Sequence, residues 1–429
     1  MNKSLSLGLL LIAGGLTGHV SATDLFRLSG SAASDGAGGL TGLSPNTQTA
    51  LLSNPSLLSD LEDGISVGIT ALRVDSRFTS SLGEQTRADK GPGIIPELAY
   101  KADLADGDWS WAAGVVVQSA MKAEFRFQDP PGTAEVSYGL QRHAAEWLVA
   151  KFAGALSYRF NDQLSAGVSM ALAYNRNQLE APYIFQSHPV LQGLKVLVDL
   201  DVDDLAFASS LGLNYQPNES LDLQLAYSLA SDFSADGDLA GNLAQLGLGI
   251  EEDFHYQANV QTTLPASLMA GLTWQASDRL RLGVQVDRVF WQDAFDVLAI
   301  SLTQGSNSDL NAFLGENSIH DVAPLEWQDQ DSLHLGGEYQ LRAGKLRLGY
   351  ENSEAQAPGH TITPMTGAIL DEAFTAGLQF RLGQRHYDVA YRYSRGEDLT
   401  VVDSALAGGE YDNTAQSLKL HSLRVSFRL

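Results

Sequence analysis

The chain has 429 residues, with 27 Lys and Arg against 51 Asp and Glu, and no cysteine. Its formal charge of −24 would repel a phosphate backbone, which argues against nucleic-acid binding, and the lack of cysteine removes disulfides, thiolate metal ligands and cysteine nucleophiles. No segment beyond the N-terminus offers roughly 18 consecutive apolar residues, so a membrane protein built of helices is excluded as well.

In chain order, the first element is an export signal over 1–22. Lys3 supplies a positive start, Leu5 to Leu16 an apolar stretch too short to span a bilayer, and Val20-Ser21-Ala22 a small-residue cleavage site. From 23 to 64 the sequence is rich in Gly, Ser and Ala without a strand period, and reads as a compact irregular segment. Alternation then sets in. Leu221, Leu223, Leu225 and Tyr227 interleave with Asp222, Gln224 and Ala226; Leu423, Val425, Phe427 and Leu429 interleave with Arg424, Ser426 and Arg428. A period of two puts one set on each face of a strand.

The connections separate a barrel from a soluble sandwich. Strands are expected near 65–78, 94–103, 109–127, 145–160, 163–178, 200–216, 220–235, 252–277, 279–301, 327–342, 344–354, 370–383, 385–398 and 415–429. Short turns (Asn161-Asp162, Gln216 to Ser220, Ala276 to Asp278, Ala343, Gln384) alternate with long links near 79–93, 128–144, 179–199, 236–251, 302–326, 355–369 and 399–414. Short turns on one rim and long loops on the other are the build of an outer-membrane barrel with both termini in the periplasm. Leu264-Pro265 is too little for a turn, and proline sits at strand ends or bulges, so 252–277 counts as one bent strand. The total is then even, as in bacterial single-chain barrels. Trp109, Trp111, Trp147, Trp274, Trp291 and Trp327 fall near strand ends, where interfacial girdles are expected. The fold class is all-β, an antiparallel transmembrane β-barrel of 14 strands over 65–429.

Four stretches add a resemblance. They are Phe26-Arg27-Leu28-Ser29 through to Ser53-Asn54-Pro55-Ser56; Trp109-Ser110-Trp111-Ala112-Ala113-Gly114 to Glu124-Phe125; Leu264-Pro265-Ala266-Ser267 on to Phe290-Trp291-Gln292; and Leu348-Gly349-Tyr350-Glu351-Asn352-Ser353 with Pro358, Pro364 and Thr375-Ala376-Gly377. In this order they resemble the plug, the third strand, the Leu-Pro strand and the later strands of the FadL/TodX-type long-chain fatty-acid transporters of Gram-negative outer membranes. The resemblance covers nearly the whole mature chain. It implies a barrel closed by an N-terminal plug (23–64), a first ligand site among extracellular loops and a second in the lumen. It also implies a lateral exit at a kinked third strand. Three positions depart from the family pattern. Ser56 replaces an alanine, Ala120 stands where known members carry glycine, and the chain ends in Leu429 rather than an aromatic residue. Phe427, on the same face, is the candidate signal for the barrel-assembly machinery.

Within that frame Asn54, Pro55 and Ser56 form a rigid plug elbow, because proline fixes its own dihedral and drives the preceding residue out of the helical region. From the residues alone, an ordinary turn before the first strand is the preferred reading, and the resemblance favours the elbow. Phe26 and Leu28 are candidate ligand contacts, or packing of the plug on the wall. The link from Ala181 to Val198 is unusually apolar for an extracellular loop, and Ile184, Phe185, Val190, Leu191 and Leu194 are its candidate hydrophobic ligand contacts. Self-packing of a short helix is the alternative. Ala120 and Met121 mark the strand of the lateral opening. Asp199, Asp201 and Asp203 open like a calcium loop, but Asp204 follows and Ser210 holds the twelfth position, so no metal is assigned. These carboxylates are expected on a hydrated lumen or the cell surface, available to divalent ions that bridge lipopolysaccharide. Arg279, Arg281, Arg288, Arg381, Arg385, Arg392 and Arg395 are expected to face the lumen, meeting a ligand carboxylate or pairing with luminal acids. No catalytic or nucleotide-binding motif occurs, and His334 and His386 have no nameable partner.

The expectation is passive transport of hydrophobic compounds, long-chain fatty acids first, by a monomer without cofactor. Capture by apolar loops precedes release after a rearrangement at Asn54-Pro55. Outer-membrane lipid, lipopolysaccharide and the assembly machinery are its other partners. A lipase-type barrel enzyme, a porin and an adhesin are the rival readings.

Overall fold

The computed structural model describes residues 30–429 except 89–92, 105–106, 133–134, 248–251, 368–369 and 384. The export signal, Phe26, Leu28 and the turn residue Gln384 lie outside the described residues, as does the side chain of Met121. A closed antiparallel barrel of 14 strands accounts for most of the chain. Its strands are β1 (Gly64–Thr79), β2 (Gly93–Asp103), β3 (Trp109–Gln128), β4 (Leu140–Asn161), β5 (Leu164–Ile184) and β6 (Lys195–Asn218). Four strands in two segments follow: β7 (Leu221–Ser228, Ser231–Asn242), β8 (Asp253–Leu264, Ser267–Ser277), β9 (Leu280–Val289, Val297–Thr303) and β10 (Ile319–Pro324, Gln330–Leu341). The wall ends with β11 (Gly344–Ser353), β12 (Glu372–Leu382), β13 (Arg385–Arg395) and β14 (Thr414–Arg428). Strand β14 pairs back onto β1 from Ser66↔Arg428 to Thr79↔Ala415. Leu429 exchanges both backbone hydrogen bonds with Ile65, so no edge is left at the seam.

Alternation shows which face meets lipid. On β6 the outward residues Leu205, Phe207, Leu211, Leu213 and Tyr215 are exposed, Phe207 by 77%. Further along the same face stand Asp203, Asp201 and Asp199. On β8 the outward Leu268, Leu272 and Trp274 give way beyond Pro265 to Thr263, Gln261, Asn259, Gln257 and His255. The apolar belt therefore ends near Pro265, and what lies past it stands above the membrane.

At that same height four adjacent strands break. Ser228 pairs with Ser267 and Ser231 with Leu264 across the break of β7 and β8, and Val289 pairs with Gln330 and Val297 with Pro324 across that of β9 and β10. Pro265 has no N–H to give the ladder. In β9 the gap holds a one-turn helix, α3 (Trp291–Ala294), after α1 (Ala32–Gly36) and α2 (Thr47–Leu52) of the N-terminal segment. The single strand expected at 279–301 is thus divided, the one expected at 327–342 is present as Gln330–Leu341, and the link expected at 302–326 is a hairpin that carries helix α4 (Ser308–Leu314) and adds the upper segment Ile319–Pro324. The one bent strand expected at 252–277 is present as two segments, Asp253–Leu264 and Ser267–Ser277, separated at Pro265.

The upper segments of β7 to β10, with the ends of β5 and β6, make a sheet that curls on itself. The link expected at 179–199 shrinks to 185–194, because β5 and β6 run on to Ile184 and from Lys195. Both ends of the apolar link from Ala181 to Val198 are therefore strand. Residues from Ser31 to Ser59 are largely buried within the barrel, and α1 and α2 lie against strands on different sides of it.

Candidate functional site

The inner face of the upper sheet is apolar. Phe185, Leu191, Val198, Leu200, Leu239, Phe254, Ile300 and Leu302 are all buried in one cluster. Burying each such side chain contributes about 1.5–3 kcal/mol. The space left at its centre is about 20 Å³, room for a water and not for a ligand, so an occupant must part these side chains. Asp321 is the one charged residue on this lining. Its carboxylate accepts from the Tyr183 hydroxyl (2.6 Å), the amides of Gln186 (2.8 Å), Ser187 (2.6 Å) and His188 (3.1 Å), and the Ser187 hydroxyl (2.9 Å). Burial opposes its charge, but these bonds outweigh burial and hold the carboxyl below the usual range. Asp321 thereby ties the tip of the β5–β6 link to β10 and closes the chamber.

Below the chamber stands an aromatic group the sequence reading missed. Trp147 of β4 meets Phe295 at 5.6 Å, Phe295 stacks on Trp327 at 4.8 Å, and Trp291 packs against Trp327 at 5.0 Å. Trp147, Trp291 and Trp327 are almost wholly buried, so they are not part of an interfacial girdle. Trp291 and Trp327 lie in the breaks of β9 and β10, which period-two counting cannot register, whereas Trp147 faces inward from the unbroken β4. Trp109 and Trp274 do sit on the lipid face. Leu298 packs against both this cluster and the upper one, so the apolar lining is continuous. The lower cluster also holds Leu51, Leu57 and Leu58 of the N-terminal segment, with Val117 and Ala120 of β3.

The wall is irregular there. The β2–β3 ladder runs from Leu98↔Val115 to Asp103↔Ser110 and stops short of the first residues of β2, while β3 pairs with β4 along its whole length. A bulge at Gln118 shifts the β3–β4 register between Val117 and Ser119, two residues before Ala120. Gln118 lines a small cavity with Leu52, Ser53, Lys151, Pro265 and Met269. The Lys151 ammonium donates to Gln118 Oε1 at 3.2 Å and has no carboxylate partner among the described residues.

The elbow is seated on glycine. Asn54 caps the 3₁₀ turn Pro55–Asp60, its Oδ1 accepting from Ser56 N (3.2 Å) and Oγ (2.6 Å). Gly167 of β5 and Gly212 of β6 face each other in register beneath it. A Cβ at Gly167 would lie 2.5 Å from the Pro55 carbonyl carbon, and one at Gly212 would lie 1.9 Å from Asn54 Oδ1. A second facing pair, Gly336 and Gly349, receives Ala37 and Gly38. Buried ion pairs complete the attachment. Arg424 holds Asp35 at 3.1 Å, and Arg347 bonds Ser44 Oγ (3.1 Å), Glu338 (2.8 Å) and Asp388 (2.6 Å). His334 lies between Asp287 (2.7 Å) and Glu351 (3.2 Å), with Nδ1 2.8 Å from the Gly38 carbonyl. At the end of the barrel that carries the short turns, a cavity of about 860 Å³ is lined mainly by polar and charged groups, among them Asp60, Asp63, Asp222, Arg281, Lys345 and Arg385.

The predicted residues scatter. Phe185 and Leu191 lie in the upper cluster and Leu194 packs against it. Ile184 points the other way, toward Gly132, Lys195 and Gly408, and Val190 is 51% exposed. Asp199, Asp201 and Asp203 are on the outer face of β6, not in the lumen. Of the arginines, Arg281 pairs inward with Asp222 and Arg392 with Glu351, whereas Arg288 and Arg395 are exposed and pair with Asp329, Asp331 and Glu372, a correction to their expected luminal place. Arg381 and Arg385 are exposed near the periplasmic turn, with His386 beside them.

The family model for outer membrane transport proteins (OMPP1/FadL/TodX) matches residues 26–428. Among solved structures the chain is similar to a Pseudomonas aeruginosa FadL homologue (TM-score 0.72, 17% identity, covering 94% of this chain and 99% of that one). It is similar also to the Pseudomonas putida toluene transporter TodX (0.72, 20%, 95% and 99%) and to the Ralstonia pickettii toluene transporter TbuX (0.72, 16%, 95% and 100%). At these identities the likeness carries the fold. No curated protein matches the sequence.

Proposed function

Because the chain belongs to the FadL/TodX family of outer membrane transport proteins, a family of channels for hydrophobic compounds, we propose a specific route through it. Ligand enters the upper apolar chamber, passes the aromatic cluster, and leaves through the wall between β2 and β3. The observation that carries this reading is the unbroken apolar lining from Phe254 through Leu298 to Val117 and Ala120. The polar vestibule supports the lateral direction, since a hydrophobic molecule gains nothing by entering it. Residues 23–64 act as the plug. Leu52 and Ser53 line the lower cavity directly before the Asn54-Pro55 elbow, so a ligand arriving there presses on the elbow's support.

For the cargo we propose a long-chain fatty acid. Lys151 is the reason, because an ammonium that among the described residues bonds only a neutral amide gains from a ligand carboxylate. A monoaromatic hydrocarbon is the second reading, favoured by the names of TodX and TbuX. Uptake and equilibrium binding of oleate and toluene by wild-type and Lys151→Met protein decide between them. The expected result is a tenfold or greater loss of oleate affinity in the variant, with toluene unchanged. Equal affinities of the two proteins for oleate would remove the fatty-acid assignment, and absence of uptake for both compounds would remove the transport route.

A further inference from the structure

The outer face of the barrel changes sign around its circumference just above the lipid belt. On β1 the outward side chains run Ile65, Val67, Ile69 and Ala71, then Arg73, Asp75 and Arg77. On β14 they run Phe427, Val425 and Leu423, then His421 and Lys419. Register aligns the two transitions: Ala71 faces Leu423, Arg73 faces His421 and Asp75 faces Lys419. On the other side of β1, Arg77 faces Arg87 of the short strand Gln85–Arg87. Arg73, Arg77, Arg87 and Lys419 are all exposed. Arg73, Arg87 and Lys419 form no ion pair with a described residue, and Arg77 comes no nearer than 3.8 Å to Asp75.

Arg77 directly opposite Arg87 costs stability by itself, since like charges facing each other on neighbouring strands repel. The chain has 51 acidic residues for 27 basic ones, so it is not short of carboxylates to neutralise four cations. Across the barrel the signs reverse. Asp201 faces Asp238 and Asp203 faces Asp236 on the outer surfaces of β6 and β7. Level with Arg73 and beneath the other cations lies an aromatic collar, where the Tyr391 hydroxyl meets His421 Nδ1 at 2.7 Å and the Tyr393 ring lies 5.1 Å from the His421 ring. Such collars mark the headgroup level. The cations thus stand where the charged headgroups of the outer leaflet begin, and guanidinium groups bind phosphate oxygens in pairs.

We infer that Arg73, Arg77, Arg87 and Lys419 form a binding site for the phosphates of a phosphorylated outer-leaflet glycolipid of the lipopolysaccharide type. The contact is direct, without the metal bridge that the acidic face would need, and it fixes lipid on one side of the barrel only.

The test compares wild type with the triple variant Arg73→Gln/Arg87→Gln/Lys419→Gln, and with the control Arg176→Gln/Arg288→Gln, which removes outward cations already paired with carboxylates. Native mass spectrometry in detergent reads retained bisphosphorylated lipid A, its dephosphorylated form and added inorganic phosphate. Heat-modifiable electrophoretic mobility verifies that each barrel is folded, and a lysine-for-arginine version at 73 and 87 keeps the charge. Wild type, control and lysine version are expected to retain the phosphorylated lipid, the triple variant at least tenfold less, and millimolar phosphate is expected not to compete. The inference fails if the triple variant retains as much as wild type. It fails equally if the dephosphorylated form binds as well, if phosphate displaces the lipid, or if a chelator strips it from wild type.

Discussion

The upper chamber and the periplasmic half of the lumen are built by the same alternating strands, yet their interiors are opposites. Above Pro265 the inward positions are Leu, Val, Ile and Phe with one tethered carboxylate, Asp321. Below it they are Arg347, Glu338, Asp388, Arg424 and Gln285, gripping a buried N-terminal segment. The difference teaches that alternation specifies a wall and leaves its contents free. An apolar interior can part for a hydrophobic ligand, since its contacts are non-directional. An interior of ion pairs and glycine seats resists displacement, because every broken pair leaves a buried charge.

The contrast can be broken most forcefully at a seat. Gly212→Val places a side chain where Asn54 Oδ1 now lies 1.9 Å from an added Cβ. The elbow should lift, costing on the order of 3 kcal/mol, and conductance across a planar bilayer should rise from near closed to that of an open pore. Unchanged conductance would mean that the segment does not block the lumen. Arg347→Met should come next, because it leaves Glu338 and Asp388 buried without their guanidinium. A loss of about 3–5 kcal/mol is expected, read as a lower denaturation midpoint. In the upper half, Phe254→Ala removes a buried ring from an otherwise continuous lining. Large-to-small changes of this kind cost roughly 3–5 kcal/mol in a rigid core. Here the chamber can relax, so the expected readout is a tenfold weaker affinity for a hydrophobic probe with little change in barrel melting.

The smallest effect is a pH dependence at the top. Lys195 is buried between Asp129 and Glu410, tying the loops that follow β3 and β13 to the start of β6. Burial pushes the Glu410 carboxyl up to about 7, more than Lys195 holds it down, and burial raises Asp129 as well. A carboxyl raised in the folded state favours its protonated form. Its contribution is therefore complete below the ordinary value of 4.5 and is lost as pH climbs through about 7. Limited proteolysis of the 396–413 loop should be several-fold slower at pH 5 than at pH 8, and Glu410→Gln should flatten that slope. A loop better protected at pH 8 would contradict the assignment.

Much of the wall was legible in advance. Leu423, Val425 and Phe427 against Arg424 and Ser426 announce β14, and Leu264-Pro265 announces an irregularity in β8, expected as a bend and present as a break, because a two-residue period and a missing N–H are local properties of the chain. The site was less legible. Phe185 and Leu191 were singled out for their hydrophobicity and do line the chamber, whereas Ile184 and Val190, equally hydrophobic, do not. Strand phase and the tether at Asp321 settled which was which. Lys151, Gln118 and Phe295 carry no pattern of their own, and Trp147, expected in an interfacial girdle, packs in the lumen instead.

The sequence by itself determined the barrel, its strand number, the apolar belt and the place of the long loops, since each follows from spacing along one chain. Only the tertiary structure decided what the lumen holds. Whether an inward residue meets lipid-like space, a guanidinium or the backbone of Pro55 depends on strands far apart in sequence, such as Gly167 beside Gly212 beneath the elbow. No local period encodes contacts of that kind.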